Sequence, residues 1–290
     1  RAKMENRGLL RLGVGDEIFD ISLELGKTYS HPVLTVKGVH RSYEALPEEA
    51  VNVPRHAECP DCHKAHVLKK EKPFRGIGKR RVGNFMTEID QEYELCYQCH
   101  SESPNLPADS TNKASEFRTT NPSFHPVEGE GRRAFVISLV EPYVGHAKKK
   151  EEVSRISCSD CHGSDDPDGP KGPHGSTYEG LLTERYEMED EIDESPFAYA
   201  LCYKCHDRAS ILGNESFPYH SLHINGSGDD VNPGTSCFTC HDAHGSTENP
   251  YLIRFNTEIV FPTLDDKLEY KEEGVSARRG SCTLTCHEVE

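Results

Sequence analysis

All twelve cysteines of this 290-residue chain fall into six short units, each closed by a histidine, with none left over. Five have the form Cys-x-x-Cys-His: Cys59, Cys62 and His63; Cys96, Cys99 and His100; Cys158, Cys161 and His162; Cys202, Cys205 and His206; Cys237, Cys240 and His241. The sixth, Cys282, Cys286 and His287, is one residue longer. In Cys-x-x-Cys-His the two thiols form thioethers with the vinyl groups of a haem, and the next imidazole ligates the iron. Disulfide frameworks and zinc ribbons also use regularly spaced cysteines, but neither requires a histidine after the second one. With 16 histidines in 290 residues, chance would supply all six only about once in 10⁷ to 10⁸ trials, whereas this motif demands them. The sequence therefore predicts six covalently attached haem c groups. The longer loop of the sixth unit still reaches both vinyl groups.

Each iron has a second axial position, and ten histidines lie outside the motifs: His31, His40, His56, His66, His125, His146, His174, His220, His223 and His244. The three methionines, Met4, Met86 and Met188, could serve only a minority of sites. Bis-histidine ligation throughout is the economical expectation. Such irons are coordinatively saturated, suited to moving electrons rather than binding a substrate. His66 and His244 each follow a motif histidine by three residues. Three residues extend at most about 10 Å, too short to pass around a porphyrin. As ligands, both must therefore serve a neighbouring haem.

The histidines and cysteines recur in order, giving three two-haem modules at approximately 31–105, 125–210 and 218–290, preceded by an N-terminal arm, 1–30. The matching strings are His-Pro-Val at 31 and 125, Leu-Cys-Tyr-x-Cys-His at 95 and 201, and Cys-His-Asp-Ala-His-Gly at 240–245. Over roughly residues 31–287 the chain resembles the multihaem c-type cytochromes with doubled Cys-x-x-Cys-His motifs. That resemblance implies bis-histidine haems and extracytoplasmic electron transfer, often in metal-respiring bacteria. Seven distal candidates stand for six positions: His31, His66, His125, His174, His220, His223 and His244. His40, His56 and His146 are expected at the surface. A ligand could also come from an adjacent subunit.

Only 34% of residues are hydrophobic, tryptophan is absent, and glycine and proline together number 41. A chain this polar offsets the entropy of ordering poorly unless the porphyrins supply the apolar core. The expected fold is a multihaem cytochrome: mostly irregular coil with short α-helices and a few short strands, forming one hexahaem unit. Ser195-Pro196 predicts a helix from Phe197 to about Asp207. Thr87-Glu88 predicts the opening of another, running through Tyr93 to His100. Apolar alternation at Glu17–Leu25 and Val33–Val36 predicts short strands, and 101–123 predicts loop.

Haem c is attached outside the cytoplasm, so export is expected, with a signal peptide already removed before Arg1. No run approaches 18 apolar residues, so no transmembrane segment is predicted. The net charge of −16 argues against nucleic acid and anionic membranes. It is uneven: residues 1–145 carry 20 basic and 21 acidic side chains, and 146–290 carry 13 and 28. Seven basic residues lie between Lys69 and Arg81, and seven acidic ones between Glu184 and Glu194. These runs are solvated faces or complementary head and tail surfaces of an open homopolymer. The second reading resembles the surface cytochromes that form extracellular filaments. The sequence thus predicts an electron-transfer protein, without catalytic residues, that works with other redox proteins or an extracellular acceptor. A periplasmic shuttle and an outer-membrane conduit subunit stand as alternatives. A multihaem reductase is disfavoured by the histidine surplus, since it needs an open distal site.

Overall fold

The computed structural model describes residues 3–5, 9–14, 17–34, 40, 46, 56–63, 79–82, 85–102, 105–106, 110–133, 136–143, 155–227, 234–273 and 280–285. Along the chain run β1 (Lys3–Glu5), β2 (Leu9–Val14), β3 (Glu17–Asp20), α1 (Ile21–Leu25), β4 (Tyr29–Ser30) and α2 (Cys59–Cys62). Next come β5 (Lys79–Val82), β6 (Phe85–Glu88), α3 (Glu92–His100), α4 (Lys113–Glu116), β7 (Ser123–Phe124), α5 (Cys158–Cys161) and β8 (Gly175–Ser176). The last stretch holds α6 (Ala200–Tyr203), α7 (Arg208–Leu212), α8 (His220–Asn225), α9 (Cys237–Cys240), β9 (Gly245–Ser246), β10 (Glu269–Glu272) and β11 (Gly280–Thr283). Short helices and short strands in coil are the architecture expected of a multihaem cytochrome. Among the described residues no helix is long and apolar enough to cross a membrane.

The chain groups into two compact units, 1–115 with 157–184, and 116–156 with 185–290. The first holds an antiparallel sheet in the order β1-β2-β3 and the hairpin β5–β6. The second holds the pair β10–β11. Each unit also contains one two-residue antiparallel ladder, and the two ladders share a register. In the first unit β4 meets β8, with Tyr29 opposite Ser176 and Ser30 opposite Gly175. In the second β7 meets β9, with Ser123 opposite Ser246 and Phe124 opposite Gly245.

Glycine is required in both ladders because another backbone passes too close for a side chain. A Cβ on Gly175 would lie 1.8 Å from the Glu24 carbonyl oxygen, and one on Gly245 would lie 2.2 Å from that of Glu116. The serine that follows each glycine is buried and donates to a carbonyl, Ser176 to Leu182 at 2.6 Å and Ser246 to Ile253 at 2.8 Å. These bonds fold the chain back so that Leu182 and Ile253 bridge the motif histidines His162 and His241.

Conventional core is scarce. In the second unit Ala198, Tyr199 and Ile224 form a buried cluster, and Cys202 and Cys237 pack against it. The apolar centre of this unit is thus assembled around two motif cysteines.

Five local expectations are corrected, the first at 101–123, where the expected loop contains the helical turn Lys113–Glu116. Thr87 and Glu88 lie in β6, and the helix after them starts at Glu92, where the Glu94 carboxylate accepts the Gln91 amide at 3.2 Å. Ser195 Oγ does accept the Ala198 amide, but 196–199 form turns, and the helix is only Ala200–Tyr203. Within Glu17–Leu25 the strand stops at Asp20, whose carboxylate accepts the Ser22 amide and starts α1 in its place. Val33 and Leu34 lie in a turn, while Thr35 and Val36 are outside the described residues.

The close approach at the ladders yields a test. Gly175→Ala and Gly245→Ala are each expected to destabilise the protein by about 1–3 kcal/mol through overpacking, measured by urea unfolding. Gly131→Ala, whose Cβ meets nothing nearer than 3.9 Å, should leave the midpoint in place.

Candidate functional site

The sequence around each first motif folds into one helical turn. In α2 the Asp61 carboxylate accepts the Glu58 amide at 2.7 Å, and in α5 Asp160 accepts the Ser157 amide at 2.6 Å. These are capping boxes in which the acid is the second variable residue of Cys-x-x-Cys. The turn puts two cysteines at i and i+3, on one face. The motif histidine closes it, its amide donating to the first cysteine's carbonyl: His63 to Cys59 at 2.8 Å, His162 to Cys158 at 2.8 Å and His241 to Cys237 at 2.9 Å. His206 does the same with Cys202 at 3.0 Å. The capping acid was legible in the sequence as Glu-Cys-Pro-Asp and Ser-Cys-Ser-Asp, although sequence reasoning missed it.

The sixth unit departs from this plan. Its extra residue removes the i, i+3 relation, and Cys282 sits in β11 opposite Tyr270. Cys286 and His287 lie outside the described residues.

Four motif imidazoles each face an imidazole from outside the motifs. His31 faces His100 with ring centres 6.3 Å apart, His63 faces His174 at 5.9 Å, His125 faces His206 at 6.3 Å, and His220 faces His241 at 6.3 Å. An ion bound by imidazole nitrogen at about 2.0 Å on each side, with about 1.1 Å from nitrogen to ring centre, separates two centres by about 6 Å. The spacing therefore fits one iron between each pair. By contrast, the His40 and His56 rings are 4.4 Å apart, too close for an ion between them. Those two are not surface residues as expected. Their side chains are only 7% exposed, and His40 Nδ1 lies 2.8 Å from Asp61 Oδ2.

Backbone carbonyls fix the tautomer of four rings. His31 Nδ1 donates to the Pro173 carbonyl, His125 Nδ1 to Ala243, His162 Nδ1 to Gly180 at 2.7 Å and His241 Nδ1 to Tyr251 at 2.9 Å. A carbonyl oxygen can only accept, so Nδ1 carries the proton and Nε2 keeps its lone pair for a metal. Burial holds the His174, His206 and His220 pKa values down at about 4, and depresses those of His125 and His241 in the same direction. Neutral imidazole is the ligating form.

Two of the accepting carbonyls, those of Gly180 and Tyr251, lie in turns of similar conformation. Gly180 and Leu181 have φ of 70° and 58°, and Tyr251 and Leu252 both have 61°. Glycine adopts this left-handed conformation without penalty, whereas for tyrosine it costs about 1–2 kcal/mol. Tyr251 is held there by its contacts. The Arg133 guanidinium lies 3.8 Å from its ring centre, and its hydroxyl donates to Glu272 at 2.5 Å.

Thiols of successive modules also meet. Cys158 hydrogen-bonds with Cys96, raising the Cys96 pKa well above its usual value together with burial, and Cys237 does the same to Cys202. In both units the second motif of one module thus abuts the first motif of the next. Glu92 secures the first of these junctions, accepting the amide and hydroxyl of Ser159 at 2.7 and 2.8 Å. Asp190 secures the α9 turn in the other unit, accepting the Ser236 amide at 2.7 Å and the Thr239 hydroxyl at 2.6 Å.

Of the remaining distal candidates, His223 stacks on Phe217 with ring centres 6.0 Å apart. His244 Nδ1 turns toward Asp242 and Glu116. His66 and the expected surface residue His146 lie outside the described residues. A protein-family model for outer membrane cytochromes of the MtrC/MtrF-like type, domains II/IV, matches residues 52–250. Comparison with curated proteins and with solved structures gives no match.

The Glu92 junction can be probed directly. Glu92→Ala is expected to lower stability by about 1 kcal/mol for each of the two hydrogen bonds lost. In a double-mutant cycle with Ser159→Ala, urea midpoints should show the two changes to be non-additive.

Proposed function

Because the chain belongs to the outer membrane cytochrome MtrC/MtrF-like family, we propose that it is a hexahaem c-type cytochrome. On this reading it conducts electrons along bis-histidine haems, outside the cell, as a head-to-tail filament. One observation carries the haem assignment: four motif imidazoles each oppose a non-motif imidazole at the spacing a shared iron needs. The family is one of multihaem electron-transfer proteins of the outer membrane or cell exterior.

In the holoprotein, haem c supplies a one-electron iron couple with two axial positions. Cys59 and Cys62, Cys96 and Cys99, Cys158 and Cys161, Cys202 and Cys205, Cys237 and Cys240, and Cys282 and Cys286 would hold six such groups. His63 with His174, His100 with His31, His206 with His125, and His241 with His220 would each hold one iron. His66, His223, His244 or a neighbouring subunit would supply the remaining ligands. The junctions Cys96–Cys158 and Cys202–Cys237 bring the attachment points of successive modules together. The carbonyl-held Nδ1 protons leave Nε2 of His31, His125, His162 and His241 free to ligate, and ligation of both axial positions would favour electron transfer over substrate chemistry. The filament reading rests on the charge asymmetry between the two halves of the chain.

A pyridine haemochrome assay should return six haems per chain, and electron paramagnetic resonance should show only low-spin signals. His174→Ala should convert one of the six to high spin, while His40→Ala should convert none. High-spin signal in the unmodified protein would overturn the bis-histidine assignment. Cryo-electron microscopy of the secreted protein should show filaments with haems continuous across subunits. Monomers alone at high concentration would refute the polymer.

A further inference from the structure

The second shells of the histidines are not equal. His31, His125, His162 and His241 donate Nδ1–H to neutral carbonyls. His244 instead points Nδ1 at two carboxylates, 3.2 Å from Asp242 Oδ1 and 3.5 Å from Glu116 Oε2. Arg254 Nη1 takes the other oxygen of each acid, at 2.6 Å from Asp242 Oδ2 and 2.9 Å from Glu116 Oε1. The guanidinium thus orients both acids, leaving two negative charges and one positive around the ring. Glu116 is buried, and the Phe117 ring meets His244 edge-on at 5.4 Å, which keeps the local dielectric low.

The internal repeat supplies a comparison. His174 precedes Gly175 in the first unit's ladder as His244 precedes Gly245 in the second. Glu24 corresponds to Glu116, since their carbonyls approach the two glycines in the same way. Yet the Glu24 carboxylate bonds to Lys27 Nζ at 2.8 Å, and Gly163 stands where the second unit has Asp242. His174 Nδ1 is buried with no acceptor among the described residues. Equivalent histidines therefore have opposite surroundings.

We propose that Glu116 and Asp242 act as positioning residues that draw Nδ1–H of His244 toward carboxylate and so lower the reduction potential of the haem it ligates. An imidazole bonded to carboxylate is a stronger donor and stabilises the ferric state more than one bonded to a carbonyl or to nothing. The inference rests on His244 being an axial ligand, one of the candidates that the proposed function keeps for the remaining positions. It gives the chain a built-in spread of potentials, with the His244 haem low and the His174 haem high.

The test is a spectroelectrochemical titration of the full holoprotein. Glu116→Gln and Asp242→Asn should each shift one midpoint positive, with the double variant shifting it further and all six haems remaining low-spin. Arg254→Gln should shift the same midpoint negative. Glu258→Gln, an equal charge change at an exposed position, should leave every midpoint in place. If the Gln and Asn variants keep six low-spin haems and all their midpoints, the tuning role is overturned while ligation stands. His244→Ala tests the ligation separately: one new high-spin haem supports it, and six low-spin haems refute it.

Discussion

Two imidazoles held about 6 Å apart, centre to centre, are the constraint on which the rest depends, because that gap leaves room for one metal ion ligated from both sides. Backbone orients one ring in three of the four pairs. The carbonyls of Pro173 and Ala243 hold His31 and His125, and those of Gly180 and Tyr251 hold His162 and His241. A carbonyl suits this task because it accepts one proton, fixes one tautomer and carries no charge that would move with pH.

The two-residue ladders explain how so little regular structure achieves that precision. Each ladder places the two residues before its glycine, Pro173-His174 or Ala243-His244, against the chain that leads from the strand into His31 or His125. One crossing thus sets two candidate ligands and the hydrogen bond of one of them. A buried serine then returns the chain to the motif histidine. The apolar packing that normally performs this work is thin, and in the second unit it gathers on Cys202 and Cys237.

Much of the site was legible in the sequence. The motif cysteines and histidines read as attachment points, and the distal candidates His31, His125, His174 and His220 are the ones that face motif imidazoles. Reach excluded His244 from the iron of its own motif, and His241 indeed faces His220. Secondary structure was less legible. Thr87 resembles a helix cap but lies in a hairpin, because pairing across Arg80 decides its conformation. Ser195 does cap a turn, yet the helix shortens to Ala200–Tyr203, whose Cys202 meets Cys237. His40 and His56 read as surface residues because nothing local marks burial; Asp61 in α2 takes up His40.

The sequence by itself determined the chemical inventory: six thiol pairs each followed by an imidazole, a histidine surplus, and capping residues that wind first motifs into a single turn. Those properties are local, resting on spacings of three to five residues. Only the tertiary structure decided which imidazole faces which, because the partners lie 21 to 111 residues apart and no periodicity links them. It also decided what each Nδ1 touches. A carbonyl, a carboxylate pair or no acceptor can stand beside the same His-Gly-Ser string, since that choice is made by the chain that packs against it.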